Sequence, residues 1–199
     1  MLELQRRDQA PQALQDFLTE HPDAGVELFD GHAFRHCKKV LRQALNEDQG
    51  GLCVYCERQL APDQGQLEHI KPKGVAAYAG LCFVYQNLAH SCINPLCCGQ
   101  KKKDGILPTE PGPGCNADFC LQTDGYIMPS AQLSRQRRHQ AEKTRDMLGL
   151  NKDSALVADR KKACDTLLEL AQAGFNTAEL QEFMAKQAFR DILRTLALL

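Results

Sequence analysis

Between Cys53 and Lys103 the chain places, in order, the pair Cys53-Val-Tyr-Cys56, then Glu68-His69, Asn87, Cys92, the adjacent Cys97-Cys98 and the run Lys101-Lys102-Lys103. Hydrolysis of a phosphodiester calls on these residue types: a base to activate water, an oxygen donor for a divalent metal, and cations to hold phosphates. An imidazole titrates near ~6.5, so close to neutral pH it can take a proton from water, and His69 fits the base. Glu68 fits a ligand of a catalytic Mg²⁺ or Mn²⁺, ions that prefer oxygen donors. Lys71, Lys73, Lys101, Lys102 and Lys103 flank the pair and fit sequence-independent contacts with a phosphate backbone.

Taken singly, each of these signals has a plainer explanation. A Glu-His dipeptide is ordinarily a surface charge beside a hydrogen-bonded histidine. An isolated asparagine is ordinarily a loop cap, and three successive lysines a solvated face. Position adds weight, because the dipeptide lies inside a bracket of cysteines. Cys53 and Cys56 form a C-x2-C knuckle, and Cys92 returns with Cys97 or Cys98 as a second pair. Cys98 is favoured because it leads directly into Gly99-Gln100-Lys101. Four thiolates in two clusters make a tetrahedral structural zinc site whose binding energy is also folding energy. Cys82, Cys115, Cys120 and Cys164 are read as buried structural residues. His32 and His36 lie one helical turn apart without a carboxylate or thiol, and are read as an exposed pair; Arg35, Lys38 and Lys39 beside them suit phosphate.

The elements that must position these groups follow from periodicity. Gln12 to Thr19 and His32 to Leu45 carry the apolar stripes of two short helices, with a polar stop over Asn46 to Gly51. From Leu52 turn residues become frequent, and Gln66 to Ile70 reads as a strand with Glu68 and His69 on opposite faces. Such a segment holds little apolar material of its own, so a metal clasp is the expected source of its order. A strand through Tyr126 to Met128 follows, then helices over Gln132 to Leu148, Lys152 to Gly174 and a last one capped by Thr177. The expected fold is α+β and mostly helical: an N-terminal helical segment over 1–50, a zinc-held module over 51–130 and a C-terminal helical region over 131–199. The outer helices are expected to share one core with the small module sitting on them. The apolar face through Leu196 to Leu199 is a docking candidate, and the basic helix around Arg135 to Arg145 suits nucleic acid or an acidic partner.

Composition limits the reading. Of 199 residues 43% are hydrophobic and 25% charged, as in an ordinary globular protein, and the formal charge of −1 gives no overall attraction to nucleic acid, so any grip must be local. No apolar run approaches ~18 residues and Met1 to Pro11 lacks an apolar stretch, so a cytoplasmic protein without a membrane segment is expected. In a reducing compartment ten cysteines signal metal ligation or burial rather than disulfides.

Cys53-x2-Cys56, Glu68-His69-Ile70-x-Pro72, Asn87-Leu88, Cys92 and Cys98-Gly99-x-Lys101 together resemble the zinc-bracketed HNH endonucleases with the ββα-metal fold. Within these the chain is most similar to the group that includes PtuB, the nuclease partner of the ATPase PtuA in Septu and retron-linked anti-phage systems. Gly125-Tyr-Ile-Met-Pro129, Leu148-Gly-Leu-Asn151, Leu156 and Arg160 extend the likeness over most of the chain. The resemblance implies that His69 is the general base, that Asn87 orients the catalytic loop or His69, and that Glu68 binds the catalytic metal. It puts Gln100 at a third motif position usually filled by His or Asn; Gln offers a carbonyl oxygen but no imidazole nitrogen, and His90 is the alternative. It implies nucleic acid, DNA before RNA, as substrate and a PtuA-like ATPase as partner. The competing reading is a catalytically inert zinc-binding adaptor for nucleic acid or protein, which Gln100 and the modest charge keep open.

Overall fold

The computed structural model describes residues 1–196. It is a mixed α+β fold with two small antiparallel sheets. Near the N-terminus, α1 (Gln12–Glu20) buries Leu14 and Phe17, α2 (Val26–Phe29) buries Phe29, and α3 (Arg35–Asp48) buries Cys37, Leu41, Ala44 and Leu45 on one stripe. Phe17, Phe29, Phe34 and Phe83 nest with ring centres 4.7 to 6.0 Å apart. The helix expected from His32 starts at Arg35 and runs on past the expected stop at Asn46. Tertiary partners explain the extension. Asn46 is buried and donates to the Leu60 carbonyl, while Gln49 donates to the Leu52 and His90 carbonyls at 2.7 and 2.8 Å.

The middle of the chain folds as a hairpin followed by a short helix. β1 (Gln66–His69) pairs antiparallel with β2 (Leu88–Ser91), Glu68 facing Ala89 and His69 facing Leu88. Two 3-10 turns, Ala76–Leu81 and Tyr85–Asn87, fill the connection, and α4 (Cys98–Lys102) follows. α3 lies against β1 and β2. A second sheet pairs β3 (Phe119–Leu121) with β4 (Ile127–Pro129), the latter at the strand expected through Tyr126 to Met128.

α5 (Arg135–Met147), α6 (Ser154–Gln172), α7 (Thr177–Ala185) and α8 (Arg190–Leu193) close the described chain. Asn176, not Thr177, caps α7, through a capping box with Glu179. The single last helix expected there is broken: Phe189 takes a left-handed backbone (φ 63). The knuckle sets that break, because Glu57 accepts the Phe189 N–H through its carbonyl and the Asp191 and Ile192 N–H groups through its carboxylate. Arg160 is wholly buried. It donates to the Gly125 and Leu150 carbonyls and to Asn151 Oδ1, and burial pulls its guanidinium down to about 10.

The outer helices do not share one core. α1 to α3 form one apolar cluster with Phe83, Tyr85 and Leu88. A second cluster joins Met1, Leu2 and Leu4 to the cysteine knuckles, β3, β4 and helices α5 to α8. The hairpin and knuckles are therefore the middle layer, with a helical layer on each side. Leu196 is buried in the second cluster, and the rest of the expected docking face, residues 197–199, lies outside the described residues.

Candidate active site and metal centre

A tight turn holds the first cysteine pair: Cys53 N–H donates to the Arg58 carbonyl at 2.9 Å, and Glu57 N–H to the Cys53 carbonyl at 3.0 Å. Cys92 follows the end of β2 and donates its N–H to Cys53 Sγ at 3.3 Å. Cys98 opens α4 at φ 61, its N–H bound to the Leu148 carbonyl at 2.8 Å. The sulfurs of Cys53, Cys56, Cys92 and Cys98 all lie within 4.8 Å of one another, with Cys53 to Cys98 at 3.8 Å and Cys56 to Cys92 at 3.9 Å. Four sulfurs about 2.3 Å from a tetrahedral zinc ion stand about 3.8 Å apart, so spacing and donor chemistry fit a metal such as zinc. Cys97 is outside this group although its sulfur is 3.5 Å from that of Cys98. Hydrogen bonds from the other thiols drive Cys92 down, while burial pushes Cys98 up.

Glu68 and His69 leave β1 on opposite sides yet border one cleft of about 660 Å³ between α3 and the hairpin. Both are buried, at 6% and 7% exposure. His69 packs its ring edge-on against Phe29, with centres 4.5 Å apart, and its Nε2–H donates to the Cys82 carbonyl at 2.9 Å. That leaves Nδ1 with the lone pair. Burial, helped by Lys73 and Lys102, pulls the imidazole down to about 4 although the carbonyl bond opposes it. His69 is thus neutral at physiological pH, as a general base must be.

This shift has a stability consequence with a definite sign. The folded state resists protonating His69 until about pH 4, while the unfolded chain takes that proton near 6.5. Stability contributed by this group is therefore complete above 6.5 and falls as pH drops from 6.5 towards 4, by on the order of 2–3 kcal/mol. Urea unfolding at stepped pH shows this slope in the wild type, and His69→Phe removes it.

Glu68 is fully engaged. Its Oε1 accepts from Tyr55 O–H at 3.1 Å and from Lys102 Nζ at 2.9 Å, and its Oε2 from the Gln66 amide at 3.3 Å. Gln100 borders the cleft, its amide N–H donating to Gln66 Oε1 at 2.6 Å rather than joining Glu68. As arranged, these groups do not form an open oxygen site for a divalent ion. His90 does not enter: Asn46 donates to its Nδ1 at 3.1 Å, and its Nε2–H donates to the Gln64 carbonyl. Asn87 lies outside the cleft and clamps the connection after β1. Its Oδ1 accepts from Lys71 N–H at 2.8 Å and its amide donates to the Lys71 and Leu81 carbonyls.

The expected lysines part company. Lys73 and Lys103 border the cleft, although Lys73 pairs with Asp30 at 2.6 Å. Lys71 pairs with Glu110, and Lys101 is exposed but does not line the cleft. Lys102 is a correction: its side chain is 1% exposed and bound to Glu68, so it cannot meet a phosphate from this position. The cations of the opposite wall come from α3. Arg35, Lys38, Lys39 and Arg42, at helical spacing i, i+3, i+4 and i+7, all face the cleft, and Arg35, Lys39 and Arg42 have no carboxylate partner among the described residues. Arg42 belongs to this set and was not singled out from sequence; its spacing from Arg35 and Lys38 was the available signal.

No family model matches the chain. It is 44% identical over 181 residues, 87% of this chain and 88% of the relative, to a protein of Vibrio cholerae serotype O1 biovar El Tor named "Retron Vc95 putative HNH endonuclease". No described helix is long and apolar enough to cross a membrane. The thiol cluster, the hairpin with its short helix and the buried imidazole thus meet an identity that spans most of both chains, and the protein belongs to the HNH endonuclease family.

Proposed function

We propose that the protein is a nuclease that hydrolyses phosphodiester bonds of nucleic acid, DNA before RNA, with His69 as the base that activates water. The observation that carries this is the neutral, buried His69 at a cleft whose opposite wall is a row of cations. The Cys82 carbonyl fixes the tautomer, leaving Nδ1 as proton acceptor, and Phe29 holds the ring edge-on. Asn87 acts one step back as a positioning residue for the turn that follows β1. The α3 cations grip phosphates flanking the bond to be cut. Cys53, Cys56, Cys92 and Cys98 hold a structural zinc. A catalytic Mg²⁺ or Mn²⁺ would supply charge stabilisation at the phosphate, but Glu68, the ligand expected for it, is closed by Tyr55, Gln66 and Lys102. By the likeness to a retron-named relative, we further read the chain as a cytoplasmic effector of an anti-phage system, working with a PtuA-like ATPase.

The inert-adaptor reading draws on one observation, the ion pair that occupies Glu68. Purified protein with Mg²⁺ or Mn²⁺, alone and with an ATPase encoded beside it, separates the two against plasmid, linear duplex, single strands and RNA. Nicking or cutting of any of these supports the nuclease; retention of nucleic acid without cleavage in every arm supports the adaptor.

The α3 wall makes its own prediction. Each phosphate contact contributes roughly −0.9 to the slope of log affinity against log salt on duplex DNA. Filter binding over a salt series should find that Arg35→Glu, Lys39→Glu and Arg42→Glu together weaken binding and flatten the slope by about 3. An unchanged slope would place the DNA elsewhere.

A further inference from the structure

Lys38 on α3 and Lys73 in the turn after β1 meet on one carboxylate. Lys38 Nζ lies 2.7 Å from Asp30 Oδ1, and Lys73 Nζ 2.6 Å from Asp30 Oδ2. Both ammonium groups also stand over the Phe29 ring, 4.3 and 5.0 Å from its centre, and that ring packs edge-on against His69 at 4.5 Å. The pair thus borders the same cleft as the imidazole. Burial first, and the charge of Lys73 with it, keep His69 neutral.

Two ammonium groups brought this close repel, and here the shared carboxylate and the face of the aromatic ring offset that repulsion. Hydrogen bonds from Lys38 and Lys73 hold the Asp30 carboxyl down at about 2, so the trio keeps one net positive charge at any working pH. An ammonium has three N–H donors, and each of these spends one on Asp30. The others are left for a guest. A phosphodiester under attack by hydroxide gains a second negative charge, carried on its non-bridging oxygens. Because Glu68 is closed to a divalent ion, side chains of the cleft have to meet that charge.

We propose that Lys38 and Lys73 are catalytic residues that bind the non-bridging oxygens of the phosphate under attack, and that Asp30 is the positioning residue that holds them at one separation beside His69. The proposal rests on the nuclease reading and divides its cations: Arg35, Lys39 and Arg42 grip flanking phosphates, Lys38 and Lys73 the reacting one. In the step itself water gives its proton to His69 Nδ1 and its oxygen to phosphorus. The bond from phosphorus to the leaving sugar oxygen breaks, and that oxygen takes a proton from solvent. The two ammonium groups stay protonated throughout.

Asp30→Asn separates this role from a general grip on phosphate, because it takes a negative charge out of the cleft. Filter binding should find duplex DNA held at least as tightly as by the wild type, while single-turnover cleavage, in whichever ion and partner conditions the wild type cuts, falls about tenfold or more. Asp30→Glu should restore part of the rate. Lys38→Gln and Lys73→Gln should each lower the rate at saturating substrate by about 10²- to 10³-fold, and Lys73→Arg by less. All three side chains reach solvent, and ion pairs of this kind add little stability, so melting temperatures should stay near wild type. Should one variant unfold, the others decide. Asp30→Asn that cuts as fast as the wild type or faster overturns the proposal, as do lysine variants that lose affinity but keep the rate at saturation. Those results leave the nuclease reading standing, whereas a wild type that cuts nothing in any condition removes both.

Discussion

Cys53→Ser or Cys98→Ser should abolish the cooperative fold of the chain, not merely lower its melting temperature. Both residues are wholly buried where the knuckles meet β3, β4 and the C-terminal helices. A structural zinc contributes an apparent ~10–16 kcal/mol at neutral pH, whereas a whole domain is stable by only ~5–15 kcal/mol. Losing even half of the metal contribution therefore leaves little net stability. Circular dichroism, a melting curve and zinc analysis at one ion per chain check the result, and a strong chelator should reproduce it in the wild type. Cys97→Ser is the matched control. Equally buried but outside the four-sulfur group, it should keep its zinc and lose only about 1–3 kcal/mol for a buried hydroxyl. If Cys53→Ser and Cys97→Ser melt alike, the four sulfurs do not hold a structural ion.

His69→Ala should lower cleavage by about 10²- to 10⁴-fold, the usual contribution of a positioned base, while zinc content and nucleic-acid retention stay near wild type. The pH profile adds a signature that a packing role would not produce. Because the working form is the neutral one and its pKa lies at about 4, the rate set by this group should hold down to about pH 5 and fall only below it. A histidine exposed to water would already lose half its activity near 6.5. Cleavage unchanged in His69→Ala would remove His69 from the reaction.

The cysteine cluster and the strand that carries Glu68 and His69 were legible because they are local: metal spacing and strand alternation depend on neighbours in sequence. The α+β class was legible for the same reason, from helical stripes on either side of a turn-rich middle. What escaped depends on distant partners. Asn46 and Gln49 read as a helix stop, yet buried carbonyls of residues 52, 60 and 90 receive their amides and carry the helix onward. Lys102 reads as one of three solvated lysines, and only the turn of α4 towards Glu68 shows it as an inward ion pair. The continuous last helix reads naturally from its apolar spacing, whereas Glu57 intervenes from far away to break it. Gly125, Asn151 and Arg160, which read as flanking likenesses, are one hydrogen-bonded strut beneath β4.

That the ββα unit is the filling of a sandwich limits how portable it is. Excised on its own, the hairpin with its knuckles would leave behind Phe29, the ring packed edge-on against the imidazole, and the α3 row of cations that lines the cleft. Such a fragment would keep its thiol cluster and still lack the cleft, with the imidazole stripped of the burial that lowers it and no second jaw. In this chain the cleft is a property of the stack, and an insertion between α3 and β1 that shifts the two layers apart would dismantle it.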